Sequence, residues 1–429
     1  MRNQIATQFT FLPFKIKNEQ EINFNYQLKI KNRKYFFQEK ILLPKPISKS
    51  INQNLLDKVL YSLSFILGIS YFKTYCPKKI FFSNYQLTKK QADFWNKVYT
   101  KGLGEFFYKN KIDFRNLIQF PFSNRKNKKL FPSKLLETSL NKNESQRQDR
   151  AILGIGGGKD SIVAAEILKK KNKDFSLFVV YHQKKPPIIK SVVKIINKPA
   201  IWIKRIIDPR LFALNNQKGV YNGHVPFNAI LSFIGLLIAV IYDFQEIITA
   251  NEKDANEGNL IYLNEEINHQ WSKSKEYEEL FNHYVKENLS PNVRYYSILR
   301  SFDELQIAQE FSYHPQYFFY FSSCNNNFKI INKKNKKLWC GQCPKCLFTF
   351  LVLSPFIKKE TMVKIFQNNL LQKKELLPLY ENLLGLKGHK PFECVGTKQT
   401  VICASKKLAQ MKEYADDFLI QFFKKKYAF

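Results

Sequence analysis

The chain has 429 residues, 45% of them hydrophobic, so it can bury a sizeable core, and its length fits one large domain or two. A formal net charge of +34 can mark a nucleic-acid partner, but the lysines are spread through every segment and form no arm or stripe. Lys, Asn, Ile, Phe and Tyr, all with A/T-rich codons, are abundant together, so codon bias and small anionic substrates account for the charge without an RNA surface.

From Met1 to about Phe122, strand-like KYFFQEKILL mixes with helix-like LLDKVLYSLSFILGI and QADFWNKVYTKGLGEFFYKN. This predicts a smaller α+β N-terminal domain, 1–122. The polar stretch that follows, with NRKNKK and NKNESQRQDR, predicts a linker over 123–149. From 150 to 310 the pattern changes. The apolar runs AILGI, SLFVVYH, AIWIKRI and EIITA alternate with the helical SIVAAEILKKK and AILSFIGLLIAVIY, which argues for an α/β domain with a parallel sheet. The most apolar run, Ala229 to Tyr242, is shorter than the roughly 20 residues of a membrane span and reads as a core helix. The N-terminal stretch lacks the apolar segment of a secretory signal, so a cytoplasmic protein without membrane insertion is expected. Residues 311–429 read as a helical C-terminal region.

The strand AILGI runs through Gly156-Gly157-Gly158-Lys159-Asp160-Ser161 directly into a helix. Glycines let the backbone approach a phosphate, and the helix N-terminus supplies free N–H donors and partial positive charge. Lys159 offers a cation, Ser161 a hydroxyl, and Asp160 a ligand for magnesium or a helix cap. The spacing is neither that of the Walker loop nor that of a dinucleotide fingerprint. It resembles the SGGxDS loop of the PP-loop ATP pyrophosphatases, with Gly156 in place of serine. That resemblance implies a loop that grips the pyrophosphate of ATP while a substrate oxygen attacks the α-phosphate.

Cys324, Cys340, Cys343 and Cys346 form C-x15-C-x2-C-x2-C. Structural zinc is the preferred occupant, with an iron–sulfur cluster as the alternative, and either would pin the C-terminal region to the sheet. Cys76 and Cys403 stand apart and read as ordinary buried residues. Further polar stretches are Asn222-Gly223-His224, Asn251-Glu252-Lys253-Asp254 after EIITA, Asn268-His269-Gln270-Trp271-Ser272-Lys273-Ser274, and Gly388-His389-Lys390-Pro391-Phe392-Glu393-Cys394. Each alone is an ordinary hydrogen-bonded loop. Together they describe a site for a large polar substrate.

These residues resemble the UDP-N-acetyl-α-D-muramoyl-L-alanyl-L-glutamate epimerases of peptidoglycan synthesis. The likeness runs through GLGEFFYKN, IGGGKDS, YNGHVPFNAI, INHQWSKS, YYSILRSFDELQIA, FSSCNNNF, WCGQCPKCLFTFL and GHKPFECVG. It departs at Lys253 and Asp254, where arginine and serine are expected. The resemblance implies adenylation by ATP of the α-carboxylate of the terminal L-glutamate in UDP-MurNAc-L-Ala-L-Glu. Inversion at Cα and release of AMP, diphosphate and the D-glutamyl product follow. Gly156, Gly157, Gly158, Lys159, Ser161 and Asn251 would then hold ATP, and Asp160 with Glu252 would hold Mg2+. The proton-transfer candidates are His224, His269, Lys275, His389 and Cys394, with His269 and His389 foremost. A deazaguanine nitrile synthase-like ligase is a rival reading, but such enzymes are much shorter and lack NHQWSKS and GHKPFECVG. An RNA-binding or RNA-modifying protein is the second rival, though no recognisable RNA-binding module is present.

Overall fold

A computed structural model describes residues 6–123, 147–289, 292–328 and 337–427. Twelve strands are described. They are β1 (Ala6–Phe11), β2 (Lys15–Lys17), β3 (Glu21–Ile30), β4 (Arg33–Leu42), β5 (Lys79–Phe82), β6 (Ala151–Gly154), β7 (Phe175–Tyr181), β8 (Ala200–Ile206), β9 (Glu246–Thr249), β10 (Leu260–Tyr262), β11 (Glu265–Ile267) and β12 (Arg294–Ser297). Ten of them form one sheet in the order β12-β9-β6-β7-β8-β4-β3-β1-β5, with β2 on β3, while β10 and β11 form a separate hairpin.

The strands β12, β9, β6, β7 and β8 are all parallel, as the alternating pattern after residue 150 predicts. Their residues read as short, nearly continuous apolar runs because both faces are covered. Ile152 and Ile247 point into one core, beneath the helices Gln53–Phe72 and Phe227–Ile241. Their neighbours Leu153 and Ile248 point into the other, beneath the helices Lys159–Lys170 and Pro344–Leu353. The run Ala229 to Tyr242 is thus a buried crossover helix. Gln53–Phe72 is long and apolar enough to cross a membrane, yet 83% of its most apolar window is buried within the protein.

The N-terminal strands are not separate from this sheet. β4 pairs antiparallel with β8 through Lys40 and Ile206, Ile41 and Arg205, and Leu42 and Lys204. The predicted linker, 123–149, lies almost wholly outside the described residues, and the strands before and after it share one ladder. A fully buried ion pair crosses the junction, from Arg205 Nε to Glu39 Oε1 at 2.6 Å. Glu39→Ala strands the Arg205 guanidinium in an apolar seam, and a stability loss of about 3–5 kcal/mol is expected in urea unfolding. A loss below about 1 kcal/mol would show that water relieves the charge.

Candidate active site

The chain leaves β6 in one direction, toward β7 and β8, and then crosses back to add β9 and β12 on the other side. The C-terminal ends of β6 and β9 therefore flank a topological switch point, where open α/β sheets bind ligands. The glycine loop follows β6, and Asn251-Glu252 follows β9. Gly157 has φ +85°, and a Cβ there would meet Ile188 and Ile189 at 3.3 Å, so the turn is built for glycine. Its carbonyl accepts from the Ser322 N–H at 3.0 Å, which ties the C-terminal region to the loop. A Cβ on Gly156 would meet nothing within 4 Å, consistent with the room a serine needs at that position. Gly158 caps the helix Lys159–Lys170 without a side-chain hydrogen bond, leaving first-turn donors for a ligand.

A cavity of about 450 Å³ opens between these two strand ends. Gly156, Gly158, Asp160 and Ser161 line one side, and Asn251, Lys273 and Cys394 another. Ser322, Ser323 and Lys345 close it from the C-terminal region. Lys159 is buried beside the loop, bonded to Asp160 at 2.5 Å and to Glu304. Burial opposes its charge, but those two carboxylates more than compensate and raise its pKa. Burial raises Glu304 against the pull of Lys159, assisted by Asp160 and Glu252. Lys273 is likewise held charged despite burial, by Cys394, Glu252, Asp160 and Glu304. Glu252 is 1% exposed, and its Oε2 has no hydrogen-bond partner among the described residues.

A second cluster adjoins the cavity. Glu105, in the first turn of the helix Gly104–Asn110, accepts from His269 Nδ1 at 2.5 Å and pairs with Lys109 at 2.5 Å. His224 Nδ1 lies 3.5 Å from the same carboxylate, and the two imidazole centroids are 4.4 Å apart. The His269 backbone is fixed by Asn259 Oδ1 at 2.8 Å. Its ring and the Cys394 thiol each act on the other's charge. Burial would lower His269, but Cys394 and Glu105 raise it to about 9. Burial would raise Cys394, but Lys273, His269 and Lys345 bring it down to about 6. His224, buried and beside a cationic His269, falls to about 3. Glu105 opposes its own burial through His269 and His224 and reaches about 2. The ligand atoms of Glu105, His224 and His269 lie within 4.8 Å of one another. Since Lys109 and His269 already occupy both Glu105 oxygens, the geometry is that of a hydrogen-bonded relay.

The structure brings His224, His269 and Cys394 together and leaves the other two proton-transfer candidates outside. His389 is exposed, packed edge-on against Tyr108 with centroids 5.8 Å apart. Lys275 is exposed on the outer turn of the helix Lys275–Asn288, 3.6 Å from Glu279. Lys273, two residues earlier, lines the cavity instead. Glu105, Lys273, Glu304 and Lys345 were not singled out from sequence, although each lies within one of the motif stretches quoted above. Asp254 has a packing role, since its Oδ2 accepts from Thr400 Oγ1 at 2.6 Å and from the Thr397 N–H at 3.2 Å. That anchors the helix Lys398–Gln410. Cys76 is buried as expected, whereas Cys403 is only half-buried, on the outer side of that helix.

Cys324, Cys340, Cys343 and Cys346 converge within 4.8 Å. Sulfur–sulfur distances are 3.7 Å for Cys340–Cys346 and 3.6 Å for Cys343–Cys346. Tetrahedral thiolates about 2.3 Å from zinc would stand about 3.8 Å apart. Cys343 and Cys346 sit at the start of the helix Pro344–Leu353, so a closed knuckle forms next to Ser322 and the glycine loop.

Fold and site together define a doubly wound α/β protein with a glycine-rich loop and a cluster of Cys394, His269 and Glu105 at its switch point. The family model described as the MurL N-terminal domain matches residues 1–298, and the MurL C-terminal domain matches residues 320–428. This chain belongs to the MurL family. A relative from Xanthomonas oryzae is 35% identical over 372 residues, covering 87% of this chain and 79% of its own length. Relatives from Salinispora tropica (34% identical, 97% of this chain and 87% of their protein) and a Micromonospora species (34%, 92% and 85%) are similar. All three are named UDP-N-acetyl-alpha-D-muramoyl-L-alanyl-L-glutamate epimerase.

Proposed function

We propose that this chain is an ATP-dependent epimerase. It inverts the terminal L-glutamate of UDP-MurNAc-L-Ala-L-Glu to D-glutamate in the cytoplasm, as a step of peptidoglycan precursor synthesis. The relatives' names support the substrate. The observation that carries the chemistry is one cavity bordered by both the glycine loop and Cys394, with the His269–Glu105 relay behind it. A carboxylate resists loss of the adjacent Cα proton, because charge would build on charge. Attack of that carboxylate on the α-phosphorus of ATP, with the loop amides and the Ser161 hydroxyl holding the departing diphosphate, gives an acyl adenylate whose carbonyl no longer carries the carboxylate charge, so its Cα proton is far more acidic. We take His269 and Cys394 as the groups that act on the activated glutamyl unit. Asp160 and the unpartnered Glu252 oxygen fit Mg2+, which neutralises triphosphate charge when bound. The four thiolates fit structural Zn2+, and the family assignment leaves the nitrile-synthase and RNA readings without a supporting observation.

Purified protein given ATP, Mg2+ and UDP-MurNAc-L-Ala-L-Glu is expected to form D-glutamyl product with AMP and diphosphate. ADP in place of AMP would discard the loop chemistry. AMP without inversion would discard the epimerisation.

A further inference from the structure

We infer that Cys394 is a covalent nucleophile, and that the glutamyl carbonyl is passed from AMP to its sulfur before the stereocentre is inverted. This rests on the adenylation reading above. A proton-transfer cysteine needs only a place beside Cα. This one lines the same cavity as the glycine loop and Lys273, and its charge is coupled to His269, whose Nδ1 is fixed by the buried Glu105 carboxylate at 2.5 Å. That chain of three is the arrangement by which proteins activate and steer an attacking sulfur. Lys273, also on the cavity wall, and Lys345 add cationic surroundings that favour the thiolate.

The Cys394 thiolate attacks the acyl-adenylate carbonyl carbon, a C–S bond forms, and the C–O bond to AMP breaks. His269 donates its proton to the departing AMP phosphate and is left neutral, having lost the thiolate that held it protonated. It then takes the Cα proton of the thioester, whose carbonyl stabilises the enolate. A proton from solvent reaches the opposite face. Water adds to the thioester carbonyl and gives both its protons to solvent, one replacing the proton supplied to Cα, the C–S bond breaks, and the thiolate and the D-glutamyl carboxylate are released beside the protonated His269. ATP and water are the co-reactants consumed. A thioester keeps the Cα proton acidic while AMP departs, and it keeps the activated substrate attached.

Acid-quenched turnover mixtures of the full protein, examined by intact-mass and peptide-mapping spectrometry, test this. The expected result is an adduct of substrate mass less one water, on the Cys394 peptide and removed by hydroxylamine. Cys394→Ala should lose inversion by roughly a thousandfold or more while substrate-dependent pyrophosphate exchange into ATP persists within about tenfold. Cys394→Ser should accumulate a hydroxylamine-resistant ester. Inversion with AMP release but no protein adduct at any quench time would overturn the inference, as would inversion retained in Cys394→Ala. Failure of the wild-type protein to release AMP and diphosphate would instead remove the adenylation reading on which it rests.

Discussion

Asp160→Ala is expected to lower AMP release by about a thousandfold or more, with no change in the thermal melt beyond about 2 °C. Asp160 is the second residue of the helix Lys159–Lys170, and it borders the cavity. It has two tasks there. It holds the Lys159 ammonium at 2.5 Å, next to the loop, and on the reading proposed above it would, with Glu252, supply carboxylate oxygens to Mg2+. Removing it leaves Lys159 against Glu304 alone, so the lysine is drawn toward the protein and away from the departing diphosphate. Folding should survive, because Asp160 faces the cavity and the apolar face of its helix, including Ile162, Val163 and Leu168, is untouched. Unchanged activity would remove Asp160 from the site, and a collapsed melt would make it a folding residue.

Glu105→Gln separates positioning from packing. Glutamine keeps the shape but removes the anion that steers and charges His269. The wild-type rate should be bell-shaped in kcat/KM, because the thiolate–imidazolium pair exists above about 6, the Cys394 value, and below about 9, the His269 value. In the variant the alkaline limb should move to lower pH, because one of the groups raising His269 is gone. The kcat should fall by about 10²- to 10³-fold, while the KM for ATP changes little. A simple loss of activity with an unmoved alkaline limb would reduce Glu105 to packing. The same groups bear on stability, with opposite signs. Glu105, lowered to about 2, adds stability above its unfolded value that is lost as pH falls toward 2. His269, raised to about 9, adds stability below its unfolded value that is lost as pH rises through 9.

What the sequence determined by itself is what consecutive residues decide. AILGI followed by three glycines and an amphipathic segment makes strand, loop and helix through local backbone preference. CGQCPKC brings three thiols together by chain proximity, and only Cys324 had to arrive from farther away. The alternation after residue 150 specifies a parallel sheet, because each apolar run must be covered on both faces. The tertiary structure decided what depends on distant partners. Glu105 and His269 are 164 positions apart and Arg205 and Glu39 166, so neither pair leaves a mark in local spacing. His269 and His389 look alike in sequence, each a histidine in a polar loop. Packing alone turns one toward a buried carboxylate and leaves the other exposed beside Tyr108. Lys273 and Lys275 differ in the same way: the start of a helix carries one outward and leaves the other against the cavity, where burial and neighbouring anions define its charge.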